Sequence, residues 1–348
     1  MRAAPLALPV LSWLFVVSCA AGTPTAAMSP TPSPSALGSP TPADPNLPHA
    51  RGYHSMFSLG AGRGIVLVAG ETAPPPAHGK ILGDVWVYRT GAGWKAGKTG
   101  TPRDGMWGYS SRAQRLFLLA DIDENFDGLH EAWTYDPAKE VWKSVSVSGA
   151  PSTLLEGAAQ LAYDSESDRF VLLTGTAETW AYDLRANRWT NMKPRTAPPA
   201  RDWGGIAYDP NADRVVLFGG GIEDAGQSDT WTYDLNHNTW RRMNPATSPP
   251  GRMYTSIAYD PASKRLVMFG GVSRSKGAAL GDTWAYDVRT DTWSNLSPSG
   301  APSARAWHAM AYDADTKTFV LFGGGEDRLA FKNDTWVYDP AANTWKQV

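Results

Sequence analysis

The sequence predicts an all-β protein made of six tandem units, each of four short strands, and three observations carry that prediction. The first is composition. Sixteen Trp, 13 Tyr and 34 Gly in 348 residues combine aromatic packing groups with the residue that tight turns need. The second is a motif, Trp-x-Tyr, which occurs six times, at Trp86/Tyr88, Trp133/Tyr135, Trp180/Tyr182, Trp231/Tyr233, Trp284/Tyr286 and Trp336/Tyr338, and is followed by Asp in five of them. The third is a second tryptophan eight or nine residues further on, at Trp94, Trp142, Trp189, Trp240, Trp293 and Trp345. The first tryptophans are spaced by 47, 47, 51, 53 and 52 residues, so the repeat is near 50 residues and residues 49–348 hold six of them.

Within a unit, the strands follow from alternation and from glycine. In the fourth unit they are expected at Trp203–Tyr208, Arg214–Phe218, Thr230–Tyr233 and Thr239–Met243. Side chains alternate with period two along a strand, so both rings of Trp-x-Tyr lie on one face and can fill the space between neighbouring units. The pair Gly219-Gly220 closes the second strand, where the turn needs positive φ or close backbone approach.

Composition also excludes. With 32 basic against 34 acidic side chains and a net charge of −2, there is no basic field to hold a phosphate backbone, and nucleic acid is not expected as a partner. One cysteine and six histidines argue against a disulfide scaffold, a zinc cluster or an iron–sulfur site. At 42% hydrophobic residues the chain is not disordered throughout. It carries no G-x-S-x-G, P-loop or H-E-x-x-H motif.

The recurring Arg, Gly-Gly, Tyr and spaced Trp resemble the kelch repeat, over all of residues 49–348. The resemblance implies a six-bladed kelch-type β-propeller with four antiparallel strands per blade, like the central domain of galactose oxidase. The first repeat opens near Arg51 and the last ends at Trp345-Lys346-Gln347-Val348, so blade 6 is expected to meet blade 1 by packing, without an exchanged strand. Copper radical oxidases of this fold need a tyrosine crosslinked to a cysteine, and residues 49–348 contain no cysteine, which excludes that chemistry.

In such a blade the start of strand one, the end of strand two and the start of strand three converge on one rim. The opening position holds Arg51, Arg103 (shifted by one), Glu156, Arg201, Arg252 and Arg305. The position two before each Trp-x-Tyr is acidic: Asp84, Glu131, Glu178, Asp229, Asp282 and Asp334. The arginines read either as a ring of guanidinium groups that binds carboxylates at the channel mouth, or as partners of the acidic ring that pin the blades. Two residues after the arginine come Tyr53, Trp203, Tyr254 and Trp307, a platform for a sugar or anion, or a cap on the channel. His54 and His308 share the next position on blades 1 and 6 and read as an acid/base or metal pair, or as packing residues. Blade 3 departs throughout, with Glu156 for Arg, Ala158 for the aromatic and Thr174-Gly175 for Gly-Gly, which predicts a notch in the rim where a ligand enters.

Blade 2 contains D-x-N-x-D-G-x-x-E from Asp123, similar to the nine-residue calcium loops of integrin-type propellers. Asp123, Asn125, Asp127, the Leu129 carbonyl and Glu131 would surround the cation, and calcium is the one cofactor the sequence suggests. Glu131 has a second explanation as a member of the acidic series.

Residues 1–19 read as a secretory signal, with a largely apolar run from Ala3 to Val17 that is too short to span a membrane. Val16-Val17-Ser18-Cys19 resembles the lipobox of bacterial lipoproteins, which implies a lipid on Cys19 and attachment to the outer face of a bacterial membrane. Cleavage after Ala20 or Ala21, giving a secreted protein, is the alternative. Residues 20–48 hold eight prolines and one charge, the composition of a disordered tether that reaches at most roughly 90 Å. The expected function is a monomeric, non-catalytic surface module that binds a glycan or a protein through the long rim loops at 71–83, 221–228, 272–281 and 325–333. An enzyme on acidic sugars, resembling the kelch-type sialate mutarotases, and a structural envelope protein are the alternatives.

Overall fold

The computed structural model describes residues 44–73, 79–98, 100, 105–121, 130–151, 160–222, 225–273, 277–326 and 330–348. Their strands form six four-stranded antiparallel sheets, each in simple sequential order. The first strands are Ser55–Ser58, Gly105–Ser110, Gln160–Asp164, Gly205–Asp209, Ser256–Asp260 and Ala309–Asp313. Each packs beside the first strand of the next sheet, and Ser55–Ser58 lies between Gly105–Ser110 and Ala309–Asp313, which closes the ring. This is the six-bladed β-propeller, with the first strands around its axis.

In blade 4 the strands run Gly205–Asp209, Arg214–Phe218, Thr230–Asp234 and Thr239–Arg242, within two residues of the expected limits. The first begins at Gly205 because Trp203 takes a φ of 59°, which no strand accommodates. Second strands are buried on both faces, as Ile65–Val68 is along its whole length. Fourth strands bury one side chain, as Trp240 in Thr239–Arg242, except in blade 2, where Val141–Val145 buries none fully. Blades 4 and 5 add small hairpins in the loop after strand two, Gly221–Ile222 with Ala225–Gly226 and Val272–Ser273 with Ala278–Ala279. In blade 3 the same loop is a tight turn with Ala177 at a φ of 68°.

Blades meet through the aromatic motif. Trp231, Tyr233 and Trp240 of blade 4 pack on Ala162, Val171 and Leu173 of blade 3. At the closure, Trp86, Tyr88 and Trp94 pack in the same way on Ala309, Ala311, Val320 and Phe322 of blade 6, with no strand exchanged among the described residues. The second tryptophan also reaches across by hydrogen bond. The indole N–H of Trp94, Trp240, Trp293 and Trp345 donates to Thr335, Thr179, Thr230 and Thr283 respectively, at 2.9, 2.8, 2.9 and 3.2 Å. Each acceptor is the residue immediately before Trp-x-Tyr in the preceding blade. Blades 1 and 2 have Val85 and Ala132 there, and the buried N–H groups of Trp142 and Trp189, which face them, lack a partner.

The arginines fasten adjacent blades. Arg252 opens blade 5. Its N–H donates to Gln227 O at 3.3 Å and its carbonyl accepts from Gly220 at 2.9 Å, both in blade 4. Its guanidinium turns into its own blade, donating to Gly270 O at 2.9 Å and to both Asp282 oxygens at 2.6 and 2.8 Å, while Nε donates to Pro250 O at 3.0 Å. Arg305 repeats this one blade on, and Arg201 repeats the guanidinium half with Gly219 and Asp229. Arg51 repeats it across the closure, bonding Lys332 O and Gly324 N of blade 6 by backbone and Asp84 of blade 1 by side chain. The glycine pair has to be glycine. A Cβ on Gly219, at a φ of 70°, would stand 2.5 Å from Arg252 O, and one on Gly220, at 81°, would stand 2.7 Å from Asp202 O.

Val85→Thr and Ala132→Thr should each supply the missing acceptor and raise stability by about 0.5–1.5 kcal/mol in urea unfolding, whereas Thr179→Val should lower it by orphaning Trp240. Arg252→Ala, which leaves the partly exposed Asp282 without its cation, should cost about 1–3 kcal/mol in the same measurement.

Candidate functional site

The rim where the arginines lie is the first candidate site, and its chemistry is set by which donors are already engaged. Arg51, Arg201, Arg252 and Arg305 are essentially fully buried. Each guanidinium makes a two-pronged pair with one carboxylate and a further bond to a carbonyl. Of the two readings of these arginines, the geometry carries the pinning one. They do not form a ring of open guanidinium groups at the channel mouth, because the opening residue folds its side chain back under the rim onto its own blade. Burial pushes the four paired carboxyls up, and the arginine hydrogen bonds and charges, with an indole N–H on each, outweigh it and hold Asp84, Asp229, Asp282 and Asp334 below the usual carboxylate range. Arg103 and Glu156 lie outside the described residues. In blade 3, Glu178 accepts instead from the indole of Trp180 and the amide of Asn191.

Tyr53, Trp203, Tyr254 and Trp307 come together as a cap over the axis. Ring centroids are 5.8 Å apart for Tyr53 and Trp203, 4.9 Å for Trp203 and Tyr254, and 5.3 Å for Tyr254 and Trp307. All four take positive φ, between 56° and 61°, a strained choice for a bulky residue that costs about 1–3 kcal/mol. A backbone relay holds it: Tyr254 N–H donates to Trp203 O, Trp307 N–H to Tyr254 O and Tyr53 N–H to Trp307 O. The rings pack on one another, as the capping reading expects, but not uniformly. Trp307 is 5% exposed and Trp203 is 37% exposed. Beside it, the Asp202 carboxyl is pushed up by burial and has no hydrogen bond or ion pair among the described residues.

His54 and His308 are buried, each ring standing edge-on against a phenylalanine, Phe322 at 5.7 Å and Phe269 at 5.5 Å. Burial, with the charges of Arg51 and His308, holds His54 well below the usual range. Burial, with Arg305, holds His308 at about 3. Both are neutral at physiological pH, which argues against the acid/base reading. A hydrogen bond to the backbone of that same phenylalanine opposes the shift in each case without outweighing burial.

Of the calcium loop, Asp123, Asn125, Asp127 and Leu129 lie outside the described residues. Glu131 is described, and its Oε2 accepts the indole N–H of Trp133 at 3.1 Å, the same bond that Asp229 makes with Trp231. Cys19, the signal and the tether up to residue 43 also lie outside the described residues, as does Ala158 of the blade 3 notch.

Sequence reading missed one feature of this site. Beneath the cap, the first strands of all six blades line a chamber of about 520 Å³. Gln160, a residue with no place in the repeat pattern, lines it with both amide atoms buried and unpartnered.

Because the native imidazoles resist protonation, the unfolded chain takes up protons below pH 6.5 that the native state refuses down to about 3 for His308. Stability should therefore begin to fall as pH drops below 6.5, by about 2 kcal/mol from His308 alone at pH 5. The Asp pairs, whose pKa is depressed, should keep their contribution until pH falls below the ordinary carboxylate range. Urea unfolding at pH 7 and pH 5 tests this, and His308→Asn should flatten the slope.

Comparison with known proteins agrees with this geometry. The family model described as the KLHDC2/KLHL20/DRC7 Kelch-repeats domain matches residues 173–348. Adagio protein 3 of Arabidopsis thaliana is 32% identical over 146 residues, 41% of this chain and 23% of that protein. Adagio-like protein 1 of Oryza sativa subsp. japonica is 33% identical over 143 residues, 39% of this chain and 22% of that one. Host cell factor 1 of Rattus norvegicus is 26% identical over 268 residues, 67% of this chain and 12% of that one. The chain thus spans less than a quarter of the length of these relatives. With half of its length under that model, the chain belongs to the kelch-repeat family.

Proposed function

We propose that this propeller is a non-catalytic recognition module that binds a protein partner across the rim around Trp203, and that it works outside the cell, exported and held at a surface. The observation that carries the reading is the state of the rim. Its buried arginines are consumed in pairs and its two buried histidines are neutral, so the described rim does not bring a free guanidinium and a titrating group into one pocket, as catalysis on an acidic sugar requires. What the rim does offer is one exposed indole on a rigid aromatic base, the arrangement typical of interface anchors. The unpaired, partly buried carboxylate of Asp202 beside it favours a Lys or Arg on the partner, which would both neutralise the acid and stack on the indole. The signal-like residues 1–19, Cys19 and the Pro-rich residues 20–48 support the location.

The test is capture from the cell-envelope fraction by the full chain, with the bound partner then titrated against variants. Trp203→Ala should weaken binding by about 2 kcal/mol or more, near thirty-fold. Asp202→Asn should weaken it less and reduce its salt dependence. Equal binding by both variants would remove this rim from the function.

A further inference from the structure

The chamber beneath the cap is built unlike the rest of the interior. Its walls are the first strands, bounded at the rim by Tyr53, Trp203, Tyr254 and Trp307. Three buried polar atoms on two of its lining residues lack a partner in the protein: two on Gln160 and one on Trp307. Both residues are at least nine-tenths buried. Native proteins pair nearly all such groups, and each one left unmade costs about 1–3 kcal/mol. Clustered around one cavity, they call for an occupant that both donates and accepts hydrogen bonds.

The walls also state the charge of that occupant. No Asp, Glu, Lys or Arg is among the described residues that line the chamber. The guanidinium groups of Arg51 and Arg305 are each locked onto a carboxylate of their own blade. An ion brought into this space would lose its hydration and meet no counter-charge. Hydroxyls from Ser55, Thr255, Ser256 and the tyrosines toward the far end, with the aromatic faces of the cap, suit a molecule with alternating O–H and C–H surfaces. The volume of about 520 Å³ lies inside the range of about 300–1,000 Å³ for small-molecule sites.

We infer that the axial chamber is a binding site for a small uncharged polyol, held by the unpaired polar groups of Gln160 and Trp307 and admitted past Trp203. It is separate from the rim reading: a protein can bind outside the cap whether or not the chamber is filled.

Saturation-transfer NMR on the full chain, with myo-inositol and sorbitol as neutral probes and glucuronate and glucosamine as charged counterparts, tests it. The neutral probes should give transfer and raise the melting temperature, and the charged ones should bind at least tenfold more weakly. Gln160→Met, which replaces the unpaired amide with an apolar chain of similar size, should weaken the neutral probes at least tenfold with the melting temperature equal or higher. Trp307→Phe, which keeps the ring and removes the N–H, should weaken them less. If Gln160→Met does not fold, the second variant and the comparison of neutral with charged probes still decide. Absence of transfer from either neutral probe, meaning a chamber filled by water alone, would overturn the inference, as would equal binding of charged probes or unchanged binding in the folded variants. None of these outcomes bears on protein capture at the rim.

Discussion

The arginine–aspartate staple is the interaction on which the architecture depends. A propeller closed without an exchanged strand needs something besides van der Waals contact to fix the angle between blades. Here one residue does both parts of that work, its backbone bonded to the loop of the preceding blade and its guanidinium locked into its own. Arg51 applies the same device between the last blade and the first. The closure is therefore chemically the same joint as those at Arg252 and Arg305. Burying a guanidinium is costly unless its donors are satisfied, and the carbonyl, the forked carboxylate and Nε's own carbonyl together satisfy four of its five N–H groups. The same satisfaction removes these residues from ligand chemistry.

Much of this was legible in the sequence, for a physical reason. Trp-x-Tyr, the glycine pair and the second tryptophan each answer a local demand, respectively an interblade face, a positive-φ turn and a cross-blade contact, so residue type reveals position. The blade 4 strands fell within two residues of their places, and the largest shift, at Trp203, comes from a backbone angle that residue identity does not announce. The arginines were a different case. Free and paired guanidinium groups are written with the same letters, and only the fold shows that Asp282, thirty residues from Arg252, sits within 2.6 Å of it.

The chamber was illegible for a stronger reason. A repeat pattern shows what recurs, and the chamber is marked by what does not, Gln160 on blade 3. It is an ordinary choice in its own strand. Its significance lies in partners that are missing, a property of three-dimensional placement. The orphaned indoles of Trp142 and Trp189 offer a useful contrast. Their deficit was readable one position before Trp-x-Tyr, where Val85 and Ala132 replace threonine. They face packed blade interfaces, not the chamber, so they read as unoptimised joints, whereas the same deficit around an open cavity reads as a site.

That contrast separates two uses of polarity in one scaffold. At the joints, charge is concentrated and cancelled within a few ångströms, which fixes geometry and leaves little field outside. Among the described residues along the axis charge is absent, and polarity survives as neutral donors and acceptors, those of Gln160 and Trp307, that the protein itself does not satisfy. The cap divides the two regions, and its strained backbone has a rationale in that division. Four residues at positive φ turn their rings inward over the axis, where extended backbone would send them along the blade faces. Three of the rings are packed tightly in this way, and Trp203 alone stays more than a third exposed. Trp203 is thus the cap ring that meets both the solvent and the chamber. Recognition outside the cap and occupancy inside it are both bounded by that one indole.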